Sequence, residues 1–323
     1  MPNTTRTQVT DAVAQHLDRT LLVRAYPHFV HALWAQVRDL PRNASVTIRF
    51  RRYGSLTAAT TALTEGVTPA GSQLSITNVD ATMAQYGDYV TTTDFLDMTV
   101  IENLKTEMAE ILGDQMGDTI DRLVRDVIVA GTTIQYASTA TTRLTVAAGM
   151  NLNGAEIRET VRTLQSNSAK PVTSQIDPSD GFNTSPVAAA YIGIISENTL
   201  FDLKQDPDWV PIEEYSLSDG RLGPFEKGKL DDVRFCLAGD NATIAAAGGA
   251  GSIDVHRTIV LGQEYYAISR ISGEAAEVIT KPLGSSGTAD PLNQRATMGW
   301  KITFVATRLN NAFAVVVEHA VSA

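Results

Sequence analysis

Apolar residues recur every three or four positions in some stretches of the chain and every second position in others. In residues 9–38 Val13, Leu17, Leu21 and Leu22, then Phe29, Leu33 and Val37, follow a helical period that Pro27 interrupts. This predicts two short helical pieces with a bend between them. The strongest helical pattern spans residues 99–130. There Val100, Ile101, Leu104, Met108, Ile111, Leu112, Met116, Ile120, Leu123, Val124, Val127 and Ile128 keep to one apolar face. At about 1.5 Å per residue such a helix is about 45 Å long. Its polar side sets Asp118 against Arg122 and Asp121 against Arg125 at i,i+4, the spacing of helical ion pairs. Gly113 and Gly117 each weaken the helix by up to about 1 kcal/mol relative to Ala. Close approach of another backbone would explain them.

β-favouring residues fill 46–50 and 74–90, with residues 65–71 as the turn between them. Two such strands make a hairpin that reaches about 50 Å when extended at about 3.3 Å per residue. After Arg51 and Arg52 the connecting stretch is dominated by Thr, Ala and Ser, and Glu65 is its lone charge. A hairpin so poor in large apolar residues cannot hold itself together in water, so it must lie on something.

Beyond Gly131 the pattern is that of a mixed domain. Asn153 is placed to cap a helix running through Ile157, Val161 and Leu164, with Glu156 as its capping-box partner. Residues 186–195 read as a buried strand, and residues 196–204 as a short helix stopped by Asp206-Pro207. Residues 245–252 read as a flexible loop without the lysine and spacing of a phosphate-binding loop. Near the end Ala296, Met298, Trp300, Ile302 and Phe304 alternate with Thr297, Gly299, Lys301 and Thr303. The alternation resumes after Asn310-Asn311 at Phe313, Val315 and Val317, which predicts a hairpin with one buried face.

Composition narrows the function. A chain of 323 residues with 43% hydrophobic residues and a mean hydropathy of -0.05 has the make-up of a water-soluble globular protein of about two domains. No apolar run approaches the roughly 18 residues of a membrane span, and the polar start is unlike a secretory signal. Cys236 is the single cysteine, so no internal disulfide forms, as suits a reducing cytoplasm. A net charge of -10 opposes nucleic-acid binding in the usual sense. Positive charge is nevertheless gathered at Arg38, Arg42, Arg49, Arg51 and Arg52, and no lysine precedes Lys105. Arginine favours bidentate carboxylate pairing across interfaces. A surface strand with ordinary salt-bridge partners is the plainer reading of the same residues.

Candidate chemistry is sparse. Among His16, His28, His31, His256 and His319 the single close pair is His28 and His31, beside the bend, which reads as packing. Cys236 lies in a strand-like apolar run and reads as a buried thiol. Asp206-Pro-Asp208 reads as a turn, and Asp114, Asp118 and Asp121 as a solvated, ion-paired face without the His or Cys a metal site would add. No nucleophile elbow or zinc-protease motif is present, so no catalytic, cofactor or metal residue is assigned.

Two stretches carry a resemblance. They are Arg51-Arg-Tyr-Gly-Ser-Leu-Thr-Ala-Ala-Thr-Thr-Ala-Leu-Thr-Glu-Gly-Val-Thr-Pro-Ala-Gly71 and Leu283-Gly-Ser-Ser-Gly-Thr-Ala-Asp-Pro-Leu-Asn-Gln-Arg-Ala-Thr-Met-Gly-Trp-Lys301. With Leu22-Val-Arg-Ala-Tyr-Pro27 and Asp206-Pro-Asp-Trp209 they resemble a podovirus-type subfamily of the major capsid proteins of tailed bacteriophages, over nearly the whole chain. The resemblance implies an α+β fold of the Hong Kong 97 type. Residues 1–45 would be an N-terminal arm, 46–97 an extended loop lying across a neighbouring subunit, and 98–148 a peripheral domain with its spine helix. Residues 149–276 would form an axial domain and 277–323 strands returning to complete the peripheral domain.

The implied function is a virion protein, assembled in the host cytoplasm into hexamers and pentamers of an icosahedral shell. That shell would enclose double-stranded DNA without sequence-specific binding and without a membrane or cofactor. Scaffolding and portal proteins are the implied partners, with a cement protein optional; no long charged N-terminal extension suggests a built-in scaffold. Inter-subunit contacts are expected at Arg49, Arg51, Arg52, Tyr53, Glu65 and Pro69 on the loop, and at Glu107, Glu110 and Asp114 on the spine helix. On a strand Arg49 and Arg51 point to one face and Arg52 to the other, so at least one should find a partner across a subunit boundary. Some members of the fold join subunits by an isopeptide bond from a loop lysine, but residues 46–97 contain no lysine. An encapsulin-type compartment shell, or a hydrolytic enzyme with an appended hairpin, are the alternative readings.

Overall fold

The structure is a computed structural model that describes residues 29–43, 45–63, 65–68, 70–99, 104–172, 189–215, 222–239, 241–249, 251–272, 276–285 and 290–322. The first helical piece expected before Pro27 lies outside these residues. In chain order the elements begin with β1 (Gln36–Leu40), β2 (Thr47–Tyr53), β3 (Ile76–Thr82), β4 (Ala84–Thr93), α1 (Asp94–Thr99) and α2 (Leu104–Val129). They continue with β5 (Ile134–Tyr136), α3 (Gly154–Ser166), β6 (Tyr191–Ile195), α4 (Glu197–Leu203), β7 (Val210–Pro211), β8 (Glu226–Leu230) and β9 (Val233–Leu237). The chain closes with β10 (Thr243–Gly248), β11 (Ile253–Leu261), β12 (Tyr266–Ile271), β13 (Glu277–Lys281), β14 (Arg295–Arg308) and β15 (Ala314–His319).

Among the described residues the strands form three sheets. One runs β1-β12-β14-β13 with β4 also on β14; a second runs β5-β15-β11-β6-β9-β8-β7 with β10 on β11; the third is the β2-β3 pair. The apolar stripe of α2 joins the first two. Met108, Leu112, Met116, Ile120, Val124 and Ile128 are buried in one cluster with Met298, Trp300 and Phe304 of β14 and with Ile192, Ile194, Ile259 and Leu261 of the eight-stranded sheet. Burying each such side chain contributes roughly 1.5–3 kcal/mol. Gly113 and Gly117 are buried on this helix, while Ile111, expected in the stripe, is 64% exposed. Orphan carbonyls at the helix end are met by the Tyr265 hydroxyl, which donates to Ile128, and by Arg308, which donates to Val127.

The other face of the eight-stranded sheet carries α3 and α4, whose Ile157, Val161, Leu164, Leu200 and Leu203 pack on Tyr191, Ile195, Phe235, Val315 and Val317. Strands β6 and β15 are thus covered on both faces, which is why they read as continuous apolar runs. Asn153 caps α3 by accepting the Glu156 N–H, but the Glu156 carboxylate accepts from the Ser138 N–H instead of closing a capping box. The Asp206-Pro-Asp208 turn anchors the same helix start: Asp206 accepts the Gly154 N–H, and Asp208 pairs with Arg158.

Several sequence expectations are overturned. Residues 29–38 do not form a helix: turns lead into β1, which pairs in parallel with β12 and so completes the sheet edge. The long hairpin is divided. β2 and β3 pair over Thr47↔Thr82 to Tyr53↔Ile76, whereas β4 pairs with β14 from Thr93↔Arg295 to Ala84↔Phe304. Buried Met83 marks the break, its N–H bonded to the Val46 carbonyl. Residues 245–248 belong to β10 rather than to a loop. No C-terminal hairpin forms either, because the chain leaves β14 and crosses at residues 309–313 to the other sheet, where β15 pairs with β11 and β5.

Asp121 is also corrected. It does not pair with Arg125, which takes Asp126 instead. Buried at 8% exposure, Asp121 accepts the N–H groups of Val30 and His31 at 3.0 and 2.8 Å and the His31 ring nitrogen at 2.6 Å. Tyr266 donates its hydroxyl to the His31 carbonyl. The segment preceding β1 is therefore fastened to the middle of α2. The expected Asp118–Arg122 pair is present at 3.0 Å.

His256 and His319 face each other across β11 and β15 with ring centroids 6.2 Å apart. In the neutral tautomer that satisfies its neighbours, His319 donates from Nδ1 to the Ala320 carbonyl and accepts the Thr258 hydroxyl at Nε2. Burial pushes His319 down to about 4 and also lowers His256, against the opposing pull of Asp202 on α4 and, for His256, Asp254 on β11. The unfolded chain takes up a proton near pH 6.5, the folded one at His319 only near pH 4. Stability is therefore complete above pH 6.5 and falls as the pH drops through that window. Urea unfolding at stepped pH is expected to show a loss on the order of 3 kcal/mol from His319 alone, and His319→Gln should flatten that slope. An unchanged slope in the variant would assign the acid loss elsewhere.

Candidate assembly surface

Ile48 and Phe50 point inward from β2 and join Leu40, Ala81, Met83 and Ala267 in a small satellite core. This core fastens the β2-β3 ladder to the edge of the five-stranded sheet. Burial stops at Phe50: Arg51, Arg52 and Tyr53 are all exposed. The Gly54 N–H closes the ladder on the Ser75 carbonyl at 2.9 Å, and beyond it residues 55–75 form no strand among the described positions. Leu56, Leu63, Val67 and Leu74 are exposed there, Leu63 by 77%, as is Ile76 where β3 begins. Glu65 is exposed beside Gly66, whose φ of +78° suits a residue without Cβ at the turn. Pro69 lies outside the described residues.

The outer face of β2 presents Arg49, Arg51 and Tyr53, which with Arg38 line a shallow concavity of about 390 Å³. Arg49 is held by its cross-strand neighbour Asp80, Nε and Nη2 lying 2.6 and 2.8 Å from the two carboxylate oxygens. This bidentate contact raises the arginine and lowers the aspartate from their ordinary values. Arg38 lies over the Phe50 ring, 5.9 Å from its centroid. Arg51 and Arg52 have no ion pair or hydrogen bond among the described residues and sit on opposite faces of the ladder. On α2, Glu107 is exposed and similarly without a partner, whereas Glu110 and Asp114 are half-buried and engaged within their own chain.

Sequence reasoning missed a second exposed apolar surface. Tyr89 on β4 and Phe95 and Met98 on α1 are 68%, 71% and 74% exposed. Isolated within a Thr- and Asp-rich stretch, they give no periodic signal. Beneath them the Gln115 amide donates to Asp88 at 2.6 Å and accepts from the Trp300 indole at 3.3 Å, tying β4 to α2 and holding Asp88 below the usual carboxylate range.

Groups suited to chemistry are occupied elsewhere. Burial, reinforced by Glu226, pushes the Cys236 thiol up to about 12. Among the described residues no three His, Cys, Asp or Glu side chains converge on a metal position, and no helix is long and apolar enough to cross a membrane.

A long helix laid between two sheets, with a coreless loop projecting from a small third sheet, is the α+β arrangement of phage capsid subunits, the Hong Kong 97-type fold. The chain matches the capsid of Ralstonia phage GP4 at a TM-score of 0.72 and 12% identity, over 90% of this chain and 87% of that one. It matches the capsid of cyanophage Pam1 at 0.63 and 17% identity, over 93% and 92%. For the head of Helicobacter pylori bacteriophage KHP40 the values are 0.62 and 13%, over 88% and 87%. No protein-family model and no curated protein matches the sequence.

The satellite core and the exposed arginines should separate cleanly in mutation. Phe50→Ala is expected to lower the unfolding free energy of the ladder by about 3 kcal/mol, the usual cost of emptying an aromatic site. Arg51→Glu and Arg52→Glu should leave the melting temperature of the unassembled chain close to the parent value. Calorimetry of the three variants tests this, and a large loss in either arginine variant would make these side chains structural.

Proposed function

We propose that this chain is the major capsid protein of a tailed phage, a structural subunit that self-assembles into the icosahedral head around double-stranded DNA. The observation that carries the reading is the pairing of a shell-subunit fold over about 90% of the chain with a loop that has no core of its own. Residues 46–97 supply the extended loop, α2 the spine of the peripheral domain, and the eight-stranded sheet the axial domain. Because β15 pairs in that sheet, the reading assigns it to the axial domain and leaves β13 and β14 to the peripheral one, with β4 at the base of the loop pairing onto β14. Hexamers and pentamers, scaffolding and portal partners, and assembly in the host cytoplasm follow from the same reading.

The loop bears exposed apolar side chains that a neighbouring copy would cover, as closed symmetry requires of every copy alike. Deleting residues 57–75 is expected to leave a folded chain, since the satellite core ends at Phe50, but to abolish closed particles. Electron microscopy and light scattering decide the matter, and normal-sized particles from the deletion would refute the role given to the loop.

Arg51 and Arg52 are proposed to meet acidic residues of a neighbour's spine helix. Glu107 is the best placed of the three candidates because it is exposed and without a partner among the described residues, whereas Glu110 and Asp114 are already engaged. One exposed pair contributes only about 0–1 kcal/mol, but a shell repeats it in every subunit. Arg51→Glu or Arg52→Glu is expected to reduce particle yield, and Glu107→Arg in the same chain to restore it. Undiminished yield from both single variants would leave these arginines as solvated strand residues. With no lysine in the loop, strength must come from such non-covalent contacts or from a cement protein.

A further inference from the structure

The five-stranded sheet is covered by α2 on the face that carries Met298 and Trp300. Its other face is covered at Ala267 and Val305 by the satellite core but open where β4, β14 and β13 lie side by side, and the pairing fixes what stands there. Tyr89, Gly299 and Ile279 form one row across β4, β14 and β13; Gly87, Lys301 and Glu277 form the next; Thr91, Thr297 and Lys281 form the third. Gly299 is required by the close strands, since a Cβ there would come within 2.6 Å of the Tyr89 Cβ. Its consequence on the surface is a notch floored by bare backbone, walled by Tyr89 and Ile279, in a groove of about 450 Å³. Lys301 is neutralised by Glu277 at 3.0 Å. Lys281, exposed, has no ion pair among the described residues. The face therefore offers an aromatic wall, an apolar wall and one available cation.

The loop beyond β2 offers the complement. Its single charge, Glu65, lies between Leu63 and Val67, both exposed, and all three are without cover in their own subunit. We propose that this sheet face is the seat of the loop tip of a second copy, whose Glu65 pairs with Lys281 while Leu63 or Val67 fills the notch between Tyr89 and Ile279. The inference rests on the reading that the loop lies on a neighbour, and it specifies where. The arginine-lined concavity is the competing seat for Glu65. Beside Arg38, Arg49 and Arg51 it offers a single ring, Tyr53, and no second apolar wall for the flanking side chains.

Cysteine cross-linking tests the seat directly, because the native Cys236 is 2% exposed and chemically silent. Val67→Cys and Ile279→Cys are combined in the full chain, assembled and mildly oxidised. Non-reducing gels are expected to show a ladder of multimers from particles of the double variant, and single chains from either single variant or from unassembled protein. In a second arm, Lys281→Glu should lower particle yield about tenfold and Glu65→Lys in the same chain should restore it, since like charges oppose docking. Particles of normal yield that give no ladder, or a ladder obtained instead from Val67→Cys with Arg38→Cys, would overturn this seat while leaving the shell function intact. If the double variant does not assemble, failure of the charge exchange to restore yield overturns it. Absence of particles from the parent chain would overturn both.

Discussion

The subunit depends on one seam of apolar contact. Six side chains at four-residue intervals, from Met108 to Ile128, form a single ridge on α2, and both large sheets are pressed against it. Neither sheet could bury its inner face on the other without that helix. The helix is also fixed along its length by polar contacts: Asp121 fastens residues 30 and 31 at its middle, and Tyr265 and Arg308 close its end. A buried carboxylate with three hydrogen bonds tolerates little displacement, since leaving any of its donors unpaired costs about 1–3 kcal/mol. The path of the chain into β1, and through β1 the edge on which the β2-β3 ladder rests, thus follows the position of α2.

What the sequence made legible tracks the length scale of each interaction. The α2 stripe could be read because a 3.6-residue period persisted for seven turns; Ile111 was misplaced because it lies at the margin of that stripe. Asp121 was unreadable for a different reason. Its nearest sequence cue was Arg125, four residues on, while its actual partners lie 90 and 91 residues away. Arg49 is similar, its partner Asp80 being 31 positions distant across the ladder. Strand β15 was recognised as a strand, but alternation carries no information about which sheet a strand joins, and the crossing at residues 309–313 went unseen. The break at Met83 was hidden by uniform β propensity on both sides. The loop was legible negatively, through what it lacks, whereas its exposed neighbours Tyr89, Phe95 and Met98 broke no pattern at all.

The loop also explains why the satellite core is so small. A segment that, on the proposed reading, conforms to another copy gains nothing from rigidity in its own subunit, and ordering it early would fix backbone freedom at roughly 1–2 kcal/mol per residue before any compensating contact exists. The fold anchors only the base of the loop, through Ile48 and Phe50, and among the described residues leaves 55–74 outside any strand. Apolar surface covered on docking can then offset the ordering cost. Closed arrays suit this division because every copy both gives and receives the same contact.

Charge sets the range of the forces that can bring copies together. At a net charge of -10 per chain, identical subunits repel one another at long range, and that repulsion is screened within about 8 Å at physiological salt. Attraction must therefore be short-ranged, which favours apolar notches and individual exposed cations without an ion pair among the described residues, such as Arg51, Arg52 and Lys281, over broad electrostatic steering. Added salt weakens those few contacts, each worth at most about 1 kcal/mol when exposed, but it also relieves a repulsion summed over the whole surface. The second effect grows with net charge while the first is limited by the number of pairs, so an acidic subunit of this kind gains from moderate ionic strength.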